Sequence, residues 1–480
     1  MCSPRVPPER PRPDDPNAAA TVNRLTATSA PVGPTTRAAR IERLVARSSS
    51  WAAVVAVAVV VGVAIAARPA VGLALAGLVL LVGLFIADPV LLAVIVLPGA
   101  LLIQRVGDTS LNLSVADLLV FLGAIVCLFH VRWSEAPMLR RFLMVIVWYE
   151  AVLLLVVAAH PFRGDVIEWF HRLSYLAGSV LVGWVIASHG RAKQAVQLFL
   201  YGSTVLAAFT IEHAFSLHFH PAQWGVYQKN AIGSVLWIAI AVAQINPPWI
   251  ALHPTEARIT KYVCVGGLLA TQSRQSIILL LVAVGTAVLL NPEVRRRSKL
   301  IVLAAVPMMT IVYYSLELAA RNNPKFNSVA IRFGQIGAAI HVWHLSPILG
   351  LGMRFYNLPQ FVTVTAPPNV LVDNLASTGL LGSAAFFLMV IFTLRVLFAL
   401  PRAYGTLGVA ILVAHYVHGL FDTFWIGVLS IVPFVIVGLT LGMADAHRGD
   451  AEPPPPGTRG HEHRRVRATH PHRPSRLPAG

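Results

Sequence analysis

The stretch "RFGQIGAAIHVWHLSPILGLG" (residues 332–352) combines an arginine, two histidines and a tryptophan in a chain that is mostly apolar. Helical spacing places four of its residues on one face, namely Arg332, Ile336, Ala339 and Trp343. The arginine therefore shares the face that packs inward, and His341 points to the opposite face. Two interpretations follow. Either the arginine of a packed surface helix reaches water along its stem, or its planar fork points into a cavity and holds two phosphate oxygens.

The same stretch contains signals that end this helix. Ser346 and Pro347 follow the helical pattern, and a proline cannot continue a helix. Gly350 and Gly352 then permit a tight return of the chain close to the membrane. The sequence thus predicts a short helix that carries Arg332, followed by a glycine-rich turn.

Two other stretches place basic side chains at the edges of apolar runs. Arg274 in "TQSRQS" (271–276) lies at the junction of two such runs. Lys229 and Asn230 in "WGVYQKNAIG" (224–233) open another run. Either cation extends to the interface, or it lines the cavity that Arg332 faces. Charges at the membrane are costly and are usually functional, which favours the second interpretation for Arg274.

A fourth stretch, "PPNVLVDNLASTGLLG" (367–382), contains Asp373 and Asn374 just at the start of a long apolar run. Two roles are equally compatible with this position. The side chains cap the N-terminus of the helix, or Asp373 has a catalytic role.

Composition assigns the chain to the membrane. Of its 480 residues, 56% are hydrophobic and 12% are charged, whereas soluble domains average about 45–50% and about 25%. The formal net charge of +17 lies largely in the two tails and in a few short loops. This is the positive-inside pattern, so the expected partner is a lipid bilayer with anionic head groups and not a nucleic acid. The cysteines Cys2, Cys127 and Cys264 indicate neither a disulfide nor a metal site.

The elements that must position these residues are predicted to be transmembrane helices. Fourteen apolar stretches have suitable composition, two of them short, which predicts an all-α, polytopic bundle of 12–14 helices. These are 51–67, 70–86, 89–103, 116–131, 142–159, 174–187, 195–216, 231–246, 262–272, 275–290, 299–317, 374–397, 403–420 and 424–442. The predicted organisation is a disordered tail (1–50), helices (51–317), a large extracytoplasmic loop (318–373), three last helices (374–443) and a basic disordered tail (444–480).

The loops also predict an orientation. With the N-terminus in the cytoplasm, the basic loops 131–141, 188–193 and 291–299 all fall on the cytoplasmic side, together with the C-terminal tail. The loops 104–115, 160–173, 217–230 and 318–373 then fall outside. The large loop that carries Arg332 is therefore expected on the outer face, and long loops in compact folds are often functional.

Several segments resemble the O-antigen ligase/polymerase family. The segments "LATQSRQSIILLL", "RFGQIGAAIHVWHLSPILGLGMRFY" and "PPNVLVDNLASTGLLG" look like its three signature segments, in the right order. "GVYQKNAIG" resembles its Lys-Asn segment, and "NLSVADLLV" (112–120) resembles its entry segments. The resemblance covers most of residues 70–442.

The resemblance implies a membrane glycosyltransferase of the bacterial cytoplasmic membrane. Such enzymes pass a glycan from an undecaprenyl-diphosphate carrier at the outer leaflet to a glycan or lipid acceptor, without a metal or other cofactor. Arg274 and Arg332 would hold the carrier diphosphate, and Lys229, Asn230 and Asn369 would complete the substrate site.

One position departs from the family pattern. Ligases of this family usually carry a histidine directly before the asparagine at Asn369, but this chain has Pro368. General-base help is worth about 10²–10⁴-fold in rate. His341, His344 and Asp373 are the candidates to replace it. A polymerase, a transporter of lipid-linked glycan and a non-catalytic scaffold of envelope assembly remain alternatives.

Overall fold

A computed structural model describes residues 88–103, 113–218, 221–222, 227–298, 328–361, 367–422 and 428–451, and the single positions 77, 79, 82, 83, 310 and 314. The chain divides into two compact units, Met1–Gly83 and Leu84–Gly480. The predicted helix 51–67, almost all of the predicted helices 70–86 and 299–317, and the predicted tail 1–50 lie outside the described residues. The predicted number of 12–14 helices therefore stays a prediction.

Every regular element of the second unit's described part is a helix. The α-helices are α1 (Pro89–Gly99), α2 (Val115–His130), α3 (Pro137–Ala159), α4 (Arg163–Leu173), α5 (Ser179–Ser188), α6 (Ala192–Ser216), α7 (Lys229–Ile245), α8 (Pro254–Thr271), α9 (Arg274–Leu290), α10 (Pro292–Arg297), α11 (Ser328–Leu345), α12 (Val370–Phe398), α13 (Arg402–His418) and α14 (Ile431–Ala451). Single turns of 3₁₀-helix are Trp133–Glu135, Phe355–Asn357, Pro359–Phe361 and Val428–Ser430.

Length and hydropathy make this an all-α polytopic membrane protein, as predicted. Five helical stretches among the described residues are long and apolar enough to cross a membrane: Pro137–Ala159, Arg163–Ser188, Ala192–Ser216, Val370–Phe398 and Ile431–Arg448. Shorter apolar helices are α1, α2, α7 and α9. Large apolar side chains are exposed along α3, including Met144, Val147 and Leu155. Such an exposed apolar surface fits contact with lipid.

Several boundaries differ from the sequence prediction, and two of them differ most. Residues 163–173, predicted as part of an outer loop, form α4 and continue through a π-helical turn (Ser174–Gly178) into α5. The charged side chains of α4 lower its apparent hydropathy, but several of them are buried in ion pairs. The final helix runs to Ala451, beyond the predicted start of the C-terminal tail at 444.

Close packing of α5 against α14 depends on small residues. A Cβ added at Gly183 would lie 2.1 Å from the carbonyl oxygen of Val435, and one added at Gly438 would lie 2.2 Å from that of Val180. Small residues let helix backbones approach in a membrane, where van der Waals packing contributes much of the association. This contact forms part of the main buried core.

A break in α12 lies close to the site described below. Gly379 has φ 64° and ψ −162°, which interrupts the helix. The segment 347–352 pairs with the backbone on both sides of this break. Four hydrogen bonds join them: Leu351 N–H to Ala376 O (3.0 Å), Gly352 N–H to Ser377 O (2.9 Å), Leu380 N–H to Pro347 O (2.9 Å) and Leu381 N–H to Ile348 O (3.1 Å).

This pairing explains the glycines that follow α11. Gly350 has φ +70°, and a Cβ there would lie 2.4 Å from the backbone of Ser377. A Cβ at Gly379 would lie 2.3 Å from the backbone of Ile348. Non-helical backbone at membrane depth is tolerated when other protein groups satisfy it. The predicted helix end and tight glycine turn are both confirmed, because α11 ends at Leu345 and the turn follows it.

Candidate functional site

The end of α13 and the residues after it, the 418–422 segment, form the centre of a polar site. A guanidinium N–H of Arg332 donates to the carbonyl oxygen of Phe421. The side-chain amide of Asn369 donates to the carbonyl oxygen of Leu420 at 3.2 Å. The start of α12 is held here as well, because the Val370 N–H donates to Gly419 O at 2.7 Å.

The carboxylate of Asp422 extends the site to two further helices. Asn230, at the start of α7, donates its side-chain amide to Asp422 Oδ2 at 3.3 Å. Gln275, at the start of α9, donates to the same oxygen at 3.0 Å. Ser273 in turn donates to Asn230 Oδ1 at 3.2 Å. The two amides hold the carboxylate of Asp422 in place. Because Asp422 is only half-buried, the carboxylate is still partly accessible.

A buried histidine lies behind this carboxylate. His418 Nε2 lies 3.4 Å from Ser234 Oγ and 3.5 Å from Gln275 Nε2. Only 2% of His418 is exposed. Sequence reasoning selected neither His418 nor Asp422. A possible signal was "HGLFD" (418–422), where two polar residues end a predicted apolar helix.

The predicted cations Lys229 and Arg274 lie at this end of the bundle. They are the first residues of α7 and α9, and their positive charges are close enough to repel each other. Lys229 is exposed and Arg274 is half-buried. Three helices, α7, α9 and α12, thus begin beside the site. Helix N-termini carry partial positive charge and bind anions through free backbone N–H groups.

The structure therefore brings together all five residues predicted to bind substrate. Arg332, Asn369 and Asn230 contact the 418–422 segment directly, and Lys229 and Arg274 neighbour Asn230 and Gln275 in sequence. The arginine faces a polar backbone in this structure, and its side chain is half-buried.

The three predicted catalytic residues occupy different surroundings. His341 and His344 are exposed on α11, and His341 lies away from the buried residues Ala339 and Val342. Asp373 is buried. Its Oδ1 accepts from Ser377 Oγ at 3.3 Å.

The helix-capping interpretation of Asp373 and Asn374 is wrong. Asn369 is the N-cap of α12, and its Oδ1 accepts from the backbone N–H groups of Leu371 (2.9 Å) and Val372 (3.4 Å). Asp373 and Asn374 therefore lie one turn inside the helix. Asn369 has two functions, because its oxygen caps α12 while its amide contacts Leu420.

A second polar group, the buried charge cluster of Glu168, Arg172, Arg354 and Asp373, lies on another side of α12. Glu168 Oε2 lies 2.7 Å from Arg354 Nη2 and 2.8 Å from Arg354 Nε. Glu168 Oε1 lies 3.4 Å from Arg172 Nε. Arg172 Nη2 lies 4.0 Å from Asp373 Oδ2.

Neighbouring groups add to this cluster. The Arg354 N–H donates to Asp165 Oδ1 at 3.0 Å, and Arg172 Nη1 lies 3.4 Å from the Tyr149 hydroxyl. Burial raises the pKa of Tyr356, and the charges of Glu168 and Asp373 raise it further. Such a phenol stays neutral at physiological pH.

Sequence reasoning did not find this cluster. Glu168 and Arg172 have the spacing of an ion pair on one helix face, but they lie in residues predicted as a loop. Arg354 lies inside a segment already noted for its glycines, where no periodicity singled it out. No group of three or more metal-ligating side chains occurs among the described residues.

Fold and site together define a multi-pass membrane protein with a cationic, amide-rich site at one end of its helices. Residues 260–387 match the family model described as O-Antigen ligase (Wzy_C). The chain therefore carries a segment that matches an O-antigen ligase domain, and this match supports the predicted O-antigen ligase/polymerase family. A comparison with curated proteins gave no match. The domain contains Arg274, Arg332, Asn369 and Asp373, and it supports an O-antigen ligase-like function in glycan assembly.

Proposed function

We propose that this protein transfers or polymerises a glycan from an undecaprenyl-diphosphate carrier at the outer face of the bacterial cytoplasmic membrane. The carrying observation is the convergence of Arg332, Asn369 and Asn230 on the 418–422 segment, beside the starts of three helices. A diphosphate is the ligand class that such donors bind best. Arg274 and Lys229 add positive charge at the same end.

In the proposed reaction, a hydroxyl of the acceptor attacks the anomeric carbon of the donor sugar. The bond between that carbon and the carrier's phosphate oxygen breaks, and the carrier diphosphate leaves with the bonding electrons. Arg332 and Arg274 stabilise the charge that develops on this leaving group. Reoriented towards a bound diphosphate, the guanidinium of Arg332 would exchange one carbonyl partner for two phosphate oxygens.

The acceptor hydroxyl must lose a proton, and we propose Asp422 as the base that receives it. The position of the family histidine is Pro368, next to Asn369, whose amide reaches Leu420. Asp422 is two residues further along the same segment and is partly accessible. Asp373, by contrast, is buried and faces Arg172. His341 and His344 remain the alternative bases.

Arginine variants test the proposed site in a strain that lacks the chromosomal gene. We expect Arg332→Ala and Arg274→Ala to abolish surface glycan while the protein remains in the membrane. Arg402→Gln is the matched control, because it removes an exposed arginine at the opposite end of α13. Normal glycan in both alanine variants would refute the site.

The base is tested by Asp422→Asn, which keeps the size of the side chain. We expect turnover to fall about 10²–10⁴-fold, with binding of the lipid-linked donor retained. Parallel variants Asp373→Asn, His341→Gln and His344→Gln separate the alternatives. A comparable loss in a histidine variant, with normal turnover in Asp422→Asn, would assign the base to α11.

Transport of a lipid-linked glycan is the second candidate, because the broken helix α12 is a feature of transporters. In this protein, however, the break is filled by the segment 347–352 of the same chain. Saturable flux of a glycan lipid across vesicles that contain the purified protein would favour transport. Donor binding with neither flux nor transfer would favour a scaffold.

A further inference from the structure

The buried charge cluster joins three parts of the chain that are distant in sequence. Glu168 and Arg172 belong to α4, Arg354 follows the segment 347–352, and Asp373 lies in the first turns of α12. All four residues are buried. The cluster therefore fixes the positions of two separate segments against α4.

Each of these two segments connects along the chain to a residue of the proposed site, namely Arg332 or Asn369. Arg354 lies two residues after Gly352, and the segment 347–352 directly follows α11, which carries Arg332. Asp373 lies one helical turn after Asn369. The chain thus runs from each anchored residue to a residue that contacts the 418–422 segment.

The contacts of the cluster differ in quality. Arg354 makes two short contacts with Glu168, at 2.7 and 2.8 Å, and its backbone N–H donates to Asp165 at 3.0 Å. The contacts of Arg172 are longer, from 3.4 to 4.0 Å. The pair of Glu168 and Arg354 is therefore the stronger attachment, and Arg172 connects it to Asp373.

A buried ion pair contributes little net stability compared with well-packed apolar side chains, because both charges lose their hydration. Such a pair specifies the relative position of its two side chains well, because the two short contacts fix both their distance and their orientation. The cluster is thus better suited to setting a position than to holding the fold together.

We propose that the Glu168–Arg354 pair is a positioning device that holds Arg332 and Asn369 against the 418–422 segment. This inference rests on the proposed function. Under this proposal Glu168 and Arg354 are positioning residues that act through other residues and not through contact with substrate. Their effect on the reaction passes through α11 and through the start of α12.

The first test uses hydrogen exchange of the full-length protein in nanodiscs. In Arg354→Met, we expect the backbone amides of 348–352 and of α11 to exchange at least tenfold faster than in the wild type. Arg163→Met is the matched control, because it removes an exposed arginine from α4, the helix that carries Glu168. Unchanged exchange in Arg354→Met would overturn the proposal, whatever the activity of the protein.

The second test separates positioning from stability. Arg354→Met leaves Glu168 buried without its closest cation, so its melting temperature should fall. The double variant Glu168→Met/Arg354→Met removes both charges, and its melting temperature should return towards that of the wild type. We expect the turnover number of the double variant to stay at least tenfold below that of the wild type. The KM for the donor should change less. Recovery of turnover together with melting temperature would show a merely structural pair and overturn the proposal.

Failure of the proposed function has a different result. If the wild-type protein transfers no glycan, the transfer reaction is refuted. If Arg354→Met nevertheless accelerates hydrogen exchange in α11, the positioning role stands.

Discussion

Substitution of Gly350 by alanine should open the contact between the segment 347–352 and the broken helix α12. The residue has φ +70°, where an L-residue is strained. The new Cβ would lie 2.4 Å from the carbonyl carbon and oxygen of Ser377, which are backbone atoms of a helix and cannot move away. The chain relieves this clash by separating the two segments.

The cost follows from the hydrogen bonds that separation would break. Four backbone hydrogen bonds join the segments, and each contributes about 0.5–1.5 kcal/mol net, so opening costs up to about 2–6 kcal/mol. If the clash lowers this free energy of opening by about 2 kcal/mol, the population of the open form rises about 30-fold at 25 °C. Opening also releases α11, so transfer activity should fall with it.

Hydrogen exchange measures this opening directly. The informative amides are those of Leu351, Gly352, Leu380 and Leu381, which should exchange at least tenfold faster in Gly350→Ala. Gly337→Ala is the matched control on α11, because no atom lies within 4 Å of its added Cβ. Alanine there should stabilise the helix by about 0.5–1 kcal/mol. Equal exchange in the two variants would refute the account of the glycine turn.

Three further variants test individual contacts. Asn369→Asp keeps an oxygen that caps α12 but loses the amide that donates to Leu420. Turnover should fall while the melting temperature stays near that of the wild type. A normal turnover would contradict the role of this amide. Asp445→Ala removes the acceptor of two backbone N–H groups at the start of α3 and of the Trp184 indole N–H. The free energy of unfolding should fall by at least the ~1 kcal/mol of a lost helix cap, measured by thermal unfolding in detergent. An unchanged melting temperature would contradict this role of Asp445. Gly438→Leu should separate α5 from α14 and reduce the yield of folded protein on size-exclusion chromatography, whereas Gly285→Leu, with open space around its Cβ, should not.

Local patterns in the sequence predicted the elements of the site well. The helix from Arg332, its end near Pro347 and the glycine turn follow from side-chain periodicity and from backbone chemistry, which act over a few residues. The apolar lengths predicted most helices within a few residues for the same reason. The position of basic residues at the edges of apolar runs selected Arg274, and Lys229 with Asn230. The family resemblance added Asn369, and the fold brings these residues to one end.

Contacts between distant residues were not predictable from such patterns. Asp422 pairs with Asn230, 192 residues earlier, and with Gln275, 147 residues earlier. Arg354 pairs with Glu168, 186 residues earlier. No local periodicity specifies such partners, and the charges of α4 made a buried helix look like an exposed loop. Desolvated charges reveal their role only when their partners are seen.

The fate of the lipid-linked glycan in a strain that lacks this protein tests the central claim most directly. Carrier-bound and surface-attached polysaccharide would be extracted separately and their chain lengths compared with those of the complemented strain. We predict that carrier-bound glycan accumulates: as long unattached chains if the protein is a ligase, or as single units without long chains if it is a polymerase. Unchanged amounts and chain lengths in both fractions would contradict a role in glycan transfer.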